Sequence, residues 1–405
     1  LDANGGHFPS GEETILKTSF LKGQKISFLD KIIPVPSDDS VTFAGWFDAK
    51  TDGKQYTADS ILNEDTTLYA RWKSKSVEAE EVKLDKKTAT LAVGKTLQLN
   101  AEILPPETTD MTLKWTSSNP KVLTVSSKGL AKGVGTGAAT VTVSTANGKT
   151  ATCQFKVTKA LTASMISLKT TSFTYSGSAK KPAVTVTDGS KKLVAGTDYT
   201  VSYSNNINAG TATVTVKAKG GFYTGSAKKN FKINPKKVTP SVKLSVTKYV
   251  YDGKVKKPKV TVTADKKTLT ASDYTATYST GRKNVGKYSV KITLKGNYSG
   301  VNTSNFTIVP KGTTISGVTA AVKGLTAKWN KQTAQTSGYQ IQYSTSKTFA
   351  SGNNSKLVSG NAKTSLKITG LKAKTTYYVR IRTYKTVNGT KYYSSWSGAK
   401  AIKTK

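Results

Sequence analysis

The sequence predicts an all-β fold, a linear array of small β-sandwich modules, and three observations carry the prediction. One long stretch occurs twice. Tyr175-Ser176-Gly177, Lys180-Lys181-Pro182 and Val184-Thr185-Val186-Thr187 return 76 positions later as Tyr251-Asp252-Gly253, Lys256-Lys257-Pro258 and Val260-Thr261-Val262-Thr263. Asp198-Tyr199 answers Asp273-Tyr274, Tyr203 answers Tyr278, Gly210 answers Gly286 and Phe231 answers Phe306. A unit that recurs at this spacing is a stackable module and not half of an active site. Within each copy apolar and polar residues alternate, as in Val214 and Val216 among Thr213 and Thr215, or Val290, Ile292 and Leu294 among Ser289, Lys291, Thr293 and Lys295. Period two puts one set of side chains on the inner face of an antiparallel sheet and the other in water. Clusters such as Asn205-Asn206-Ile207-Asn208-Ala209-Gly210 punctuate these runs as turns.

Composition agrees. A chain of 405 residues is long for one domain and has room for four or five small ones. Hydrophobic residues are 36%, with 19 Tyr and 2 Met, which favours several thin β cores over a single large one. No apolar run is long enough to span a bilayer, so no membrane insertion is expected. No signal peptide opens the chain; Leu1-Asp2-Ala3-Asn4-Gly5-Gly6 starts inside a strand and turn, which predicts a piece of a longer polypeptide. Cys153 is the single cysteine and cannot make an internal disulfide. A secreted protein that nearly avoids cysteine fits a Gram-positive surface better than an animal ectodomain.

Charge is uneven. The chain holds 62 Lys and Arg against 23 Asp and Glu, a net of +39. Residues 1–72 carry 7 basic and 11 acidic side chains, a net of −4. From Tyr274 to Lys405 there are 22 Lys and Arg and no Asp or Glu. Only four basic residues are Arg: Arg71, Arg282, Arg380 and Arg382.

In chain order, residues 1–73 contain the turn Ala3-Asn4-Gly5-Gly6, the aromatic strand Phe43-Ala44-Gly45-Trp46-Phe47, the turn Asp52-Gly53 and a closing Thr67-Leu68-Tyr69-Ala70-Arg71-Trp72. These resemble an internalin-type B-repeat, which implies a β-grasp-like module lacking its usual first strand. Trp46 and Trp72 are read as core, because so small a unit needs large aromatics to bury enough surface. A polar, acidic linker is expected over 74–81. Residues 82–159 carry Leu91-Ala92-Val93-Gly94, Trp115-Thr116-Ser117-Ser118-Asn119-Pro120 and Gly129-Leu130-Ala131-Lys132-Gly133, and resemble a bacterial Ig-like domain of group 2, with Trp115 expected at the centre of its core. The doublet, 161–235 and 238–310, resembles tandem Ig-like repeats of large bacterial surface proteins, with Pro-marked junctions that restrict hinging. Residues 313–405 place Trp329 on an early strand, then Tyr339-Gln340-Ile341-Gln342-Tyr343, Leu366-Lys367-Ile368, Thr376-Tyr377-Tyr378-Val379 and Trp396-Ser397 opening a last strand. They resemble a fibronectin type III domain, whose corner tyrosine would be Tyr377, with Ala373 and Lys374 in place of the usual Pro and Gly.

The inventory for catalysis is bare. His7, in a Gly-rich turn, is the only histidine, so no Ser-His-Asp or Cys-His arrangement and no zinc site can be assembled. The acidic grouping Asp38-Asp39 with Asp48 and Asp52 reads as solvated turns and not a calcium site. Gly94-Lys95-Thr96 and Gly148-Lys149-Thr150 imitate the tail of a phosphate loop without its leading Gly, and read as turns. No catalytic residue, metal ligand or cofactor is expected. Phe222-Tyr223 and Asn297-Tyr298 occupy equivalent turns, where Tyr223 and Tyr298 either stack on sugar rings or tuck back to cap the sandwich. Lys291 and Lys295 spread charge over a face and make no pocket.

The sequence therefore predicts a non-catalytic stalk or adhesive region, extracellular, on the surface of or secreted by a Gram-positive bacterium. Its expected partner is an anionic wall polymer such as teichoic acid. Two alternatives stand beside it: an adhesin for mucin glycan or a host protein, and the wall-retention tail of a secreted enzyme. Sequence-specific nucleic-acid binding is disfavoured, since Lys dominates where base readout favours the planar fork of Arg.

Overall fold

Alternation becomes strand throughout the chain. The structure, a computed structural model, describes residues 1–9, 11 and 14–405. Among them the only helical elements are two three-residue 3-10 turns, Leu29–Lys31 and Ala163–Met165, and no helix is long and apolar enough to cross a membrane. The chain is all-β, built of many small sheets, and divides into two compact units. The first comprises 1–161, 196–199 and 217–226; the second comprises 162–195, 200–216 and 227–405.

The first unit begins with a three-stranded sheet in the order Gln55–Tyr56, Val41–Phe47, Tyr69–Ser74. It covers a core of Phe8, Ile26, Leu29, Trp46, Leu62 and Leu68. Trp46 is 2% exposed, stacks on Phe8 at 6.1 Å and donates its indole N–H to the Ile32 carbonyl at 3.2 Å. Trp72 is half-buried and donates to the Ala3 and Asn4 carbonyls at 3.2 and 3.0 Å, holding the Asn-Gly-Gly turn. Gly6 must be glycine there, because a Cβ would run into the Trp72 ring.

The rest of the first unit is a sandwich. One sheet runs Leu113–Ser117, Gly137–Thr145, Thr150–Ala160, with Thr88–Ala92 added parallel to Thr150–Ala160. Facing strands include Glu81–Leu84 with Ala101–Leu104, and Thr96–Gln98 with Leu130–Gly133 and Leu123–Val125. Leu123, Val141, Cys153, Phe155 and Val157 form the sealed centre. Trp115 does not sit at that centre. It is half-buried, packed between two clusters, with its ring over Gly129, where a side chain would collide with it. The polar, acidic segment 74–81 is tied down at one end: Ala79 is buried, its carbonyl accepts from the Asn147 amide at 2.7 Å, and Glu80 N–H donates to Leu104 O at 2.8 Å. Ala79 anchors the segment while Ser74, Lys75, Ser76, Glu78, Glu80 and Glu81 stay exposed.

In the doublet the two copies share one strand order. A sheet runs Ser172–Thr174, Ser226–Asn234, Gly210–Ala218, Tyr199–Ser204; its counterpart runs Lys248–Val250, Val301–Val309, Gly286–Leu294, Tyr274–Tyr278. The opposing sheets match as well: Ile166–Leu168, Val184–Asp188, Lys191–Lys192 against Ser241–Leu244, Val260–Ala264, Lys267–Thr268. Strand Lys236–Lys237, which leads into the second copy, runs parallel to Tyr298–Ser299. The Asn297 side chain accepts from Ala209 N–H at 2.7 Å and donates to Asn208 Oδ1 at 3.1 Å. Val285 N–H, the equivalent of Ala209 N–H, donates to Gln335 Oε1 at 3.2 Å. In the first unit, Lys159 and Ala160 likewise run parallel to Tyr223 and Thr224.

The last segment packs Ile315–Ala321, Gly324–Trp329 and Ser365–Thr369 against Asn354–Ser359, Gly338–Ser344, Thr376–Val387 and Thr390–Tyr393, with Lys400–Lys403 also on Thr376–Val387. Trp329, Tyr339, Ile341, Tyr377, Val379 and Ile381 fill the core. The Tyr377 hydroxyl accepts from Lys372 N–H at 3.2 Å, and Lys374 bears the left-handed turn at φ 49°, a place where glycine costs less.

Candidate anion-binding surface

Among the described residues no group of three or more His, Cys, Asp or Glu comes together. Cys153 is buried in a sandwich core, and burial pushes its thiol up, away from the reactive thiolate. Gly94 and Gly148 both stand in turns at positive φ.

The aromatic turns of the doublet point inward. Tyr223 is 2% exposed and Tyr298 is 6% exposed, and the Tyr298 ring meets Tyr175 edge-on at 5.5 Å. In both turns it is the residue before the tyrosine that lies nearer the surface, Phe222 in one and Asn297 in the other. Lys291 is exposed on its strand, flanked in register by Thr277 and Thr303. Lys295 is exposed just past the strand end, and its backbone N–H donates to Asp273 O at 2.8 Å. The Asp273 carboxyl lies below its usual range, chiefly through the Thr270 hydroxyl and backbone N–H, with a smaller contribution from the Lys295 charge. Among the described residues no hydrogen bond or ring contact joins Tyr298, Lys291 and Lys295 to one another.

It does assemble a site that alternation alone leaves unread. On Thr376–Val387, Val379, Ile381 and Thr383 point into the core, so Arg380 and Arg382 point out. Register sets Gln342 opposite Arg380 and Gln340 opposite Arg382, and each Arg donates its Nε–H to the facing amide oxygen at 2.7 Å. The segment after Thr390–Tyr393 is pinned alongside by two serines. Ser394 Oγ accepts from Thr383 N–H and Ser397 Oγ accepts from Ile381 N–H, both at 3.0 Å, and Ser397 N–H returns to Ile381 O at 2.8 Å. That pinning lays Trp396 against both cations. The Arg380 guanidinium lies 3.9 Å from the Phe349 ring and 4.8 Å from Trp396; Arg382 lies 4.3 Å from Trp396 and 4.0 Å from Tyr393. The result is a rail in which aromatic rings and cations alternate. Trp396, expected to open the last strand, thus precedes it: that strand is Lys400–Lys403. Hydroxyl bonds to the backbone replace strand pairing at Trp396, a substitution hydropathy does not reveal.

The electrostatics are unbalanced. Burial pulls both guanidinium values down, for Arg382 with a further contribution from the charge of Arg380. No carboxylate exists between 274 and 405 to offset them. Arg71 offers a contrast: it lies 4.2 Å over Phe47, but its Nε and Nη2 are sealed from solvent without a partner.

Three segments of the chain match known domain families. Residues 2–71 match the Listeria-Bacteroides repeat domain, 78–155 the bacterial Ig-like domain of group 2, and 309–397 the fibronectin type III domain. Among curated proteins, 67 residues are 46% identical to a 3-O-alpha-D-galactosyl-alpha-L-arabinofuranosidase of Bifidobacterium longum subsp. longum, covering 16% of this chain and 6% of that one. Over 126 residues the chain is 29% identical to an A type blood N-acetyl-alpha-D-galactosamine deacetylase of Flavonifractor plautii, covering 30% of this chain and 16% of that one. The chain therefore spans only a small fraction of either relative. Among solved structures, domains 4–9 of surface layer protein SbsC are 12% identical over 100% of this chain and 79% of that one, with a TM-score of 0.19. A three-domain piece of titin is 12% identical over 81% and 98%, with a TM-score of 0.20. The chain is thus a modular one, with a Listeria-Bacteroides repeat domain, a group 2 bacterial Ig-like domain and a fibronectin type III domain in that order.

Proposed function

We propose that this chain is a non-catalytic, extracellular region of a Gram-positive bacterial protein that is held by charge on an anionic polymer of the cell wall, of the teichoic acid class. The observation that carries the reading is the stretch 274–405, which has 22 Lys and Arg and no acid. Such a surface repels itself unless an anion lies alongside. Its lysines are spread over strands and the turns between them, Lys291 on an exposed strand face and Lys295 just past the end of that strand, an arrangement that meets a flexible polyanion by charge density. The test is binding of the full chain to purified walls with and without teichoic acid. Retention on intact walls should fall steeply between 0.1 M and 1 M salt, as the screening length shortens from ~10 Å to ~3 Å. Equal retention on stripped walls would end the reading.

A second reading is compatible with the first and is favoured by the relatives. Both carry enzyme names for carbohydrate substrates, and this chain aligns with a small part of each. On that reading the region is an accessory array of a longer carbohydrate-active enzyme, keeping a catalytic domain near its substrate. Sequencing the gene on both sides of this segment decides it.

A further inference from the structure

We propose that the Arg380–Arg382 rail is a dedicated site for two successive phosphodiesters of a flexible, base-free polymer, so that the wall polymer is read by its charge spacing and not only by its charge density. The proposal rests on the functional reading above and assigns it a place.

The argument starts from what each guanidinium has left to give. An arginine carries five N–H donors in a fixed fork. In Arg380 and Arg382 the Nε–H is spent on Gln342 and Gln340. The planar faces are covered by Phe349, Trp396 and Tyr393. Among the described residues no acceptor takes the Nη hydrogens, and neither Nη is sealed from solvent as Arg71 Nη2 is. What remains is one open edge per arginine, held in place by a stack and a hydrogen bond. A fork edge of this kind matches two oxygens of a phosphate.

Spacing then narrows the ligand. Arg380 and Arg382 are alternate residues of one strand, about 7 Å apart at ~3.3 Å per residue. A phosphodiester chain linked through a three-carbon alditol can place successive anions at that distance, whereas a single small anion engages one fork only. The covered ring faces narrow it further. Single-stranded nucleic acid is held largely by bases stacked on free aromatic faces, and here each ring face turned to the rail is already occupied by a guanidinium. A polymer without bases loses nothing by this.

The experiment uses the full chain, with defined oligomers of poly(glycerol phosphate) as probe. Calorimetry should show the two-phosphate unit binding at least about tenfold tighter than glycerol phosphate, since the second fork adds a charge-assisted contact without a second association cost. The double variant R380K/R382K keeps every charge but loses the fork, and should weaken oligomer binding by about tenfold. The double variant K291Q/K295Q removes two charges elsewhere and should cost no more than a fewfold. Only four arginines are present, so guanidinium NMR resonances of the parent chain give a readout free of any variant's folding: those of Arg380 and Arg382 should shift on titration and those of Arg71 should not. Tight oligomer binding that R380K/R382K leaves unchanged, or shifts absent from Arg380 and Arg382, overturns the rail while leaving the wall-polymer reading standing. No binding of the parent to any oligomer overturns both. A single-stranded DNA oligonucleotide bound as tightly, with the same dependence on both arginines, would make the ligand a nucleic acid and refute the assignment.

Discussion

The two copies of the doublet are one design carried out twice. Phe173 meets Phe231 at 5.6 Å and 74° in the first; Tyr249 meets Phe306 at 5.8 Å and 77° in the second. Tyr203 donates its hydroxyl to the Pro182 carbonyl at 2.8 Å, and Tyr278 donates to Pro258 at 2.7 Å. Even where residues differ, the bond survives: the Asn206 amide donates to Lys180 O at 2.8 Å, and Arg282 Nε, 76 positions on, donates to Lys256 O at 3.0 Å. The copies part company at their ends. Phe222 stands where the second copy has Asn297, and only Asn297 reaches Ala209 and Asn208. Interior geometry tolerates exchange of the residue but not of the contact, whereas the turns are where each copy takes on a role of its own.

Three measurements press on this comparison. The largest effect should come from the shared interior. Phe231→Ala and Phe306→Ala, at 3% and 1% exposure, should each destabilise the surrounding copy by ~3–5 kcal/mol. Hydrogen exchange resolved by segment should show equal losses, and a marked inequality would deny that the two interiors are equivalent. The end contacts come next. Asn297→Ala removes two hydrogen bonds and Gln335→Ala one, so the first should cost about 1–2 kcal/mol and the second about half that. Exchange at Ala209 N–H should rise in the first variant and at Val285 N–H in the second; a rise at neither would remove these amides from any role in joining each copy to the segment that follows.

The smallest effect separates the copies by pH. Asp252 receives Lys256 Nζ and the Lys254 N–H, and these hold its carboxyl below the usual range, the lysine side chain first. A carboxyl with a depressed folded value contributes stability above its unfolded value, near 4, and loses it as pH falls through the folded one. In the first copy Ser176 stands at this position and receives Lys180 Nζ, with no proton to gain. Acidification below about pH 4 should therefore lower amide protection, taken against the intrinsic exchange rate at each pH, in the 251–256 turn and not in the 175–180 turn. A matched response in both turns would show that the salt link is idle.

The fold was legible because it rests on local pattern. Alternation around Val214 and Val290 marks strands without any knowledge of partners, and Trp329 and Tyr377 fall in the core where a fibronectin-like pattern puts them. Trp115 was expected at the centre by its size, but it packs at the edge of two clusters, with its ring over Gly129, where only a residue without a side chain leaves room for it. In the aromatic turns, sequence left open whether Tyr223 and Tyr298 face a sugar ring or the core; the structure buries both rings. The rail was least legible. Its parts come from positions 340, 342, 349, 380, 382, 393 and 396, and only the pair Arg380-x-Arg382 with Ser394-x-Trp396-Ser397 hinted at it. A stack of cations on rings needs register between strands, which no single stretch encodes.

The amides of Ala209 and Val285 have a consequence for how such a chain can grow. Each sits at the same place in its copy, just before the glycine that opens the long central strand, and each donates to a side-chain amide oxygen of the segment that follows. One acceptor comes from another copy of the repeat and the other from a domain of a different family. The donor is a backbone group, so it survives mutation of its own side chain, and it accepts either neighbour. A gene that duplicates the second copy repeats both the Asn297 acceptor and the Val285 donor, so that length can grow by that unit with the same pair of contacts at each junction.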